Sequence, residues 1–152
     1  MKLNEFIEKY GDCEVTDELI EMLKPKEDWI PKMNDKYWKI NCSGKVEAEC
    51  WEDCYYDYFA LSKRNVYRTE KEAQFALDMY NFCKERSFEP DWEDRNRFKY
   101  YLYLDYNNKE ANYNYTDSFN HCIPFYYPTA EAVQEVVDKY SFDELAKYYG
   151  RV

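Results

Sequence analysis

Glycine is nearly absent. With Gly11, Gly44 and Gly150 as the only three in 152 residues, neither a Walker-type phosphate loop nor a dinucleotide-binding fingerprint can be built, because both use several glycines to bring backbone amides against a phosphate. Most nucleotide-driven enzymes are thereby excluded. Histidine is scarcer still: His121 stands alone, so acid–base chemistry near neutral pH has to use it or a carboxylate with a raised pKa. No Ser, Thr or Cys motif with an orienting partner accompanies it, and adjacency to Cys122 does not by itself make a catalytic dyad. Long apolar runs are missing as well. No stretch approaches the roughly 18 residues that a membrane span requires, and Met1 to Ile7 lacks the apolar segment of a secretion signal. The expected location is therefore cytoplasmic.

Positive charge is in short supply, 21 Lys and Arg against 31 Asp and Glu, for a net charge of −10. Phosphate backbones and anionic lipid repel such a chain, so direct nucleic-acid or membrane binding is not expected, and its natural macromolecular partners are basic surfaces. Acidity also keeps an aromatic-rich protein soluble, which is a sufficient reason for it in itself. Cysteine is not scarce: Cys13, Cys42, Cys50, Cys54, Cys83 and Cys122 would suggest disulfides in a secreted protein, but in a reducing cytosol they are expected as free thiols. Cys50, Cys54 and Cys122 with His121 offer a tetrahedral donor set. The i, i+4 spacing of the first two is not that of a zinc knuckle, and Cys50 falls on the apolar side of a predicted strand. No metal or cofactor is expected there, nor at the adjacent acids Glu52-Asp53 and Glu93-Asp94, which read as solvated.

What is abundant is aromatic surface: Tyr 18, Phe 9 and Trp 4. These fill a core quickly and leave tyrosines over as rigid contact groups with one polar end. They are also arranged twice. Each arrangement is a tyrosine-rich hairpin, then Asn65-Val66-Tyr67-Arg68-Thr69 or Phe125-Tyr126-Tyr127-Pro128-Thr129, then a helix opening on the threonine. In the first unit Thr69 caps and Glu72 stands where it can return the bond; in the second Thr129 caps without a returning glutamate. The predicted elements are helices over Leu3 to Tyr10 and Thr16 to Lys24, strands over Tyr37 to Ile40 and Lys45 to Trp51 about a Ser43-Gly44 turn, and a helix over Thr69 to Arg86. Strands over Tyr100 to Tyr106 and Ala111 to Tyr115 about Asn107-Asn108-Lys109 follow, with a closing helix from Ala130 and a last turn at Leu145. The pattern of Glu52 to Arg64 does not distinguish helix from loop. The expected fold is α+β: two β-hairpin-plus-helix units forming a mainly antiparallel sheet with helices on one face, after a short N-terminal helical pair. One domain over 1–152 is expected, with helices and connector in 1–35, the first unit and linker in 36–97 and the second in 98–152.

Along the first hairpin Val46, Ala48 and Cys50 are expected inward and the acidic set outward. A candidate interaction face follows: Glu47, Glu49, Trp51, Glu52, Asp53, Tyr55, Tyr56 and Asp57, carboxylates at strand spacing interleaved with aromatics. Such a row imitates a line of phosphates, and a protein that grips nucleic acid through Arg and Lys would bind it. An ordinary solvated strand face has the same composition. In the second hairpin Tyr101, Tyr103, Tyr113 and Tyr115 can share a face and stack a base or anchor a loop, or form the inner face of the sheet; Tyr100, Leu102, Leu104 and Tyr106 oppose them.

Trp29-x-Pro31, Lys36-Tyr37-Trp38-Lys39-Ile40, Gly44-Lys45-Val46, Trp51, Asn65-Val66-Tyr67-Arg68-Thr69 with Glu72-Ala73, and the Leu145 to Val152 ending together resemble a group of small proteins from phages and prophages of low-GC Gram-positive bacteria. Asn34 and Arg64 stand where that group's pattern carries glycine. The family brings no activity or site to these residues; the resemblance implies a phage setting. The expected function is then a non-enzymatic, anti-CRISPR-like inhibitor, a nucleic-acid mimic in the infected host's cytoplasm that occupies the basic nucleic-acid-binding surface of a host defence protein. The alternative is a sponge for a nucleotide signal, with Arg64, Arg68, Arg95 and Arg97 on phosphates and Tyr101 and Tyr103 stacking, a pocket that a homo-oligomer would help to close.

Overall fold

The computed structural model describes residues 29–94, 96–118, 120 and 123–149. The chain divides into two compact units, Met1–Ile30 and Pro31–Val152, and every element below belongs to the second. The two helices expected before residue 25 lie outside the described residues. The fold is α+β: β1 (Lys36–Ile40), β2 (Val46–Cys50), α1 (Tyr55–Ser62), α2 (Glu70–Arg86), β3 (Lys99–Asp105), β4 (Glu110–Thr116), α3 (Ala130–Lys139) and α4 (Phe142–Tyr148). β1 pairs with β2 and β3 with β4, both antiparallel.

Each hairpin is turned by one polar side chain. Asn41 Oδ1 accepts from the amides of Ser43 and Lys45, both at 3.0 Å, while Gly44 takes the left-handed conformation, φ 72°, that a Cβ would oppose. Asp105 does the same in the second unit, accepting from the amides of Asn107 at 2.9 Å and Asn108 at 3.2 Å. Here Lys109 supplies the left-handed residue at φ 54°.

The duplication holds down to single hydrogen bonds. Trp38 N–H donates to Tyr67 O at 2.9 Å and Tyr67 N–H returns to Trp38 O at 2.8 Å; Tyr100 and Tyr127 exchange the same pair at 3.0 and 2.8 Å. Two residues on, Thr69 and Thr129 each accept the amide of the third following residue at 3.2 Å, capping α2 and α3. Glu72 returns its bond one residue earlier than expected, to Arg68 N–H at 3.1 Å, and its other oxygen meets Lys147 of α4 at 2.9 Å. Ile40 and Leu102 from the strands, Ala73 and Ala76 from α2, and Val133 and Val136 from α3 then enter one buried cluster with Tyr67, Tyr127, Cys83, Leu145 and Tyr148. Between α2 and α3 the ring of Phe82 is covered by Arg86 and Lys139, each 3.5 Å from its centroid, and Arg86 pairs with Glu135 at 2.6 Å.

Two expectations change. The hairpins do not merge into one sheet among the described residues; they remain two ribbons. The outer edge of each first strand is occupied by that unit's own Tyr67 or Tyr127 bridge, so the hairpins do not join through β1 or β3. The in-and-out alternation of the first hairpin also fails, because Ala48 and Cys50 are exposed and only Val46 packs on the core. The cover lies over β1 rather than β2: Trp38 and Ile40, with Val46, face the core, while Tyr37 on the other side meets α1 beside Trp51.

Candidate functional site

The stretch from β2 into α1 is built around a buried carboxylate. After Cys50 the chain turns through Asp53, left-handed at φ 59°, and enters α1 with Cys54 at the N-cap. Asp57, in the first turn, accepts from Glu52 N–H at 2.9 Å, Cys54 N–H at 3.1 Å and the Tyr37 hydroxyl at 3.0 Å. Burial alone would raise its pKa, but the Cys54 and Glu52 amides and then Tyr37 more than offset it and hold the carboxyl below its usual range. Tyr37 is pushed the other way, first by burial and then by the adjoining Asp57 carboxylate. Trp51 closes the group edge-on to Tyr37 at 5.8 Å and to Tyr58 at 5.5 Å.

Two of the expected contact residues are therefore interior. Trp51 and Asp57 are each 2% exposed and hold the turn and α1 in place, so neither presents a surface to a partner. The carboxylates of β2 are outward but engaged. In the register Tyr37 lies opposite Glu49 and Lys39 opposite Glu47, which places Lys39 between both acids, 2.7 Å from Glu49 and 3.5 Å from Glu47. Burial works against the Lys39 charge, but Glu49 and then Glu47 raise its pKa on balance. Asn41 Nδ2 donates to Glu47 at 2.8 Å and the Tyr37 hydroxyl to Glu49 at 3.3 Å. A row of free charges is thus reduced to a partly neutralised one, and among the described residues Glu52 and Asp53, at the exposed turn, have no ion pair. Asp53 accepts the Tyr58 hydroxyl, and that bond raises the Tyr58 pKa.

Past this turn α1 carries an aromatic surface. Tyr55, Tyr56, Tyr58 and Phe59 are 74, 76, 52 and 51% exposed. Tyr55 stacks on Phe59 at 6.3 Å and meets Tyr56 edge-on at 5.8 Å, so these three rings form a continuous group, while Tyr58 packs on Trp51. The helix is anchored instead through Asp57 and Ala60. It ends in a Schellman motif: Asn65 N–H donates to Ala60 O at 2.9 Å and Arg64 N–H to Leu61 O at 2.8 Å, with Arg64 at φ 56°. Tyr58 belongs with the aromatics expected along this stretch, and Phe59 is the addition. Its i, i+4 and i, i+3 relation to Tyr55 and Tyr56 is the signal, and it becomes legible once Cys54-x-x-Asp57 is taken as a capping box.

The residues of the alternative pocket are not assembled. Arg64 occupies the left-handed position after α1, Arg68 is exposed before α2, the Arg97 guanidinium lies 4.8 Å over the Phe88 ring, and Arg95 lies outside the described residues. Tyr101 and Tyr103 pair with Asn114 and Asn112 across the ribbon. A cleft of about 560 Å³ is lined by the first turn, Asn65, and Leu77, Tyr80, Asn81 and Lys84 of α2, and by none of these residues. The four tyrosines of the second hairpin do not share a face either. Tyr115 is opposite Tyr100 and Tyr113 opposite Leu102, so Tyr113 and Tyr115 lie with the core-facing set, Tyr100 contacting both at 6.3 Å. Of the zinc candidates Cys50 is exposed and Cys54 half-buried, while His121 and Cys122 lie outside the described residues. Among the described residues no helix is long and apolar enough to cross a membrane. No protein-family model matches the chain, and neither a curated protein nor a solved structure matches it.

Proposed function

We propose that the protein is a non-enzymatic binding protein whose contact surface is the outer side of α1 with the Glu52-Asp53 turn, directed at a basic groove on another protein. The observation that carries this reading is the exposure of Tyr55, Tyr56, Tyr58 and Phe59 together on one eight-residue helix that is anchored through its buried Asp57 and Ala60. Tyrosine and phenylalanine supply large contact area at little entropic cost. Four rings exposed to this degree offer on the order of 500 Å², against roughly 800 Å² per partner in a standard interface, so acidic neighbours complete the surface. Those neighbours, with a net charge of −10, favour Arg- and Lys-lined partners and fast, salt-sensitive association.

The resemblance to phage proteins gives the partner's class: a host defence protein whose nucleic-acid-binding surface would be occupied. The mimicry then resides less in Glu47 and Glu49, which Lys39 engages, than in the turn and the tyrosines. The test is affinity capture from phage-sensitive host lysate by wild type and by Tyr56→Ala/Phe59→Ala. It is followed by a nucleic-acid-binding competition with the captured protein. The reading expects a discrete basic protein, lost in the variant and at raised salt, whose nucleic-acid binding the wild type blocks. Capture that is indifferent to the double substitution would remove α1 as the surface, and unaltered nucleic-acid binding would remove the mimicry.

A further inference from the structure

The duplicated units differ most at their open edges. Because Tyr100 directs both its N–H and its C=O to Tyr127, it cannot also exchange hydrogen bonds with Tyr115, its partner across the ribbon. Antiparallel pairs alternate between hydrogen-bonded and non-hydrogen-bonded, so the backbone groups of Ala111, Tyr113 and Tyr115 point away from β3, to the open side of β4. The hydrogen-bond pattern agrees: Tyr115 N–H, left without a strand partner, donates to the side chain of Asn114 at 2.8 Å. Among the described residues no backbone group from another segment meets this edge.

By the same reasoning Trp38, bonded to Tyr67, leaves Ala48 of β2 facing outward in the first unit. That edge, Val46-Glu47-Ala48-Glu49-Cys50, carries alternate charges, the usual protection against strand addition. The corresponding strand in the second unit has a single charge, Glu110 at its turn end, and the rest of its edge, Ala111-Asn112-Tyr113-Asn114-Tyr115-Thr116, has no charged residue and no Pro. In the second hairpin the ionisable Asp105, Lys109 and Glu110 cluster at the turn, and Lys99 of β3 is buried.

We propose that the open edge of β4 is a homodimer interface, two copies pairing antiparallel about a two-fold axis at Tyr113 to join two ribbons into one four-stranded sheet. A second copy fits this edge because the juxtapositions it creates from Ala111 to Tyr115 are neutral, and the one charged strand residue, Glu110, meets the uncharged Thr116. Tyr113 meets Tyr113, the outward Ala111 meets Tyr115, and on the opposite face Asn112 meets Asn114, whose side-chain amides can bond to each other. Two chains of net charge −10 repel over most of their surfaces, and the uncharged stretch from Ala111 to Thr116 is where they can approach. Exposed Tyr113 and Tyr115 would gain cover in the process.

The experiment is sedimentation equilibrium of the full chain over a range of concentrations, with Tyr113→Lys and Tyr113→Pro. Lysine places like charges across the axis. Proline deletes an outward N–H while leaving the bonds to β3 intact, and circular dichroism checks that the hairpin survives. A species of twice the 18.7 kDa chain mass that reverts to chain mass in both variants is expected. In a Cys42→Ser/Cys50→Ser background, Tyr113→Cys should cross-link between copies on oxidation, since antiparallel hydrogen-bonded partners lie about 5.5 Å apart at Cα. A wild type that stays at chain mass throughout, or a dimer unchanged by both substitutions, would overturn the proposal.

Discussion

Asp57 should be the most consequential charged residue in the first unit, although it contacts no partner. Replacing it by Ala strips the acceptor from the Glu52 and Cys54 amides and the Tyr37 hydroxyl. Hydrogen bonds to a charged group contribute about 1.5–3 kcal/mol each and a stranded buried donor costs about 1–3 kcal/mol. Water regains the two part-buried amides, and Tyr37 keeps Glu49 at 3.3 Å, so the net loss should be about 3 kcal/mol for Asp57→Ala and about half that for Asp57→Asn. That is a large share of an ordinary domain's roughly 5–15 kcal/mol. The pH dependence has a definite sign. Asp57 is held below its usual carboxyl range, so its contribution is present above the unfolded value of about 3.9 and is lost as pH falls through the lower folded value. Tyr37 is raised, so its contribution is present below about pH 10 and is lost at higher pH. Urea unfolding followed by tryptophan fluorescence, with Trp51 buried beside Tyr37, reports both. The gap between wild type and Asp57→Asn should be full at pH 7 and should narrow in acid below about pH 4. A cost under about 1 kcal/mol for Asp57→Ala, or additivity of Asp57→Asn with Tyr37→Phe to within about 0.3–0.5 kcal/mol, would refute the reasoning.

Further outcomes follow from single contacts. Asn65 acts as a piece of strand, its side chain accepting from Ile40 N–H at 2.8 Å and donating to Ile40 O at 2.7 Å. Asn65→Ala should cost about 2 kcal/mol, and Asn65→Asp, which loses the donor and sets a carboxylate against a carbonyl, should cost more; denaturant titration checks the order. At Arg64 a non-glycine residue is left-handed at φ 56°. Arg64→Gly should therefore stabilise by about 0.5–1 kcal/mol, the relieved strain less glycine's extra unfolded-state entropy, and a lowered urea midpoint would contradict this. Burial pushes the Cys83 thiol up to about 11, whereas Cys42 and Cys50 are exposed. A thiol reagent at pH 8 should label Cys42 and Cys50 in the native protein and reach Cys83 only on unfolding, as peptide mass mapping would show.

The hairpin-plus-helix repeat was legible because its punctuation is ordinary: threonine caps at Thr69 and Thr129, Gly44 in one turn and paired asparagines in the other. α1 was not, because its N-cap is a cysteine and the residue that fixes it, Asp57, looks like one more surface acid in an acidic chain. A shortage of glycine hides turns in the same way, since Asn34, Asp53, Arg64 and Lys109 all take left-handed conformations that glycine would have announced. The tyrosine faces of the second hairpin depended on register. Asp105 pairs with Glu110 across a four-residue loop, and a shift of one residue carries Tyr113 and Tyr115 from one face to the other. Of the acidic-aromatic face, the exposed tyrosines and the Glu52-Asp53 turn could be read from composition. That Trp51 and Asp57 turn inward could not, since it depends on contacts with Tyr37, fourteen and twenty residues away.

A duplicated unit provides its own control, because what both copies keep is needed to fold and what one copy adds is free to serve something else. Both keep the tyrosine bridge, the threonine cap and the small or branched residues beneath it, Ala73 and Ala76 or Val133 and Val136. At the base of β1 the first unit buries Tyr37 against Asp57. At the base of β3 the second buries Lys99, whose ammonium donates to Asp94 O and lies 5.4 Å over the Trp92 ring. Both solutions satisfy a polar tip at a fully covered position, yet among the described residues only the first recruits an additional helix to do so. α1 thus exists because Tyr37 requires Asp57, and once α1 is anchored on that inner side, stability asks nothing of its outer side. Tyr55, Tyr56 and Phe59 are there without a packing role in the cluster that holds the units together. Substituting Tyr55 and Tyr56 by serine should therefore leave the urea midpoint within the range of ordinary surface changes, about 0.5 kcal/mol, while removing partner binding. A loss of several kcal/mol would instead make these rings part of the fold and take away the main reason for placing the function on α1.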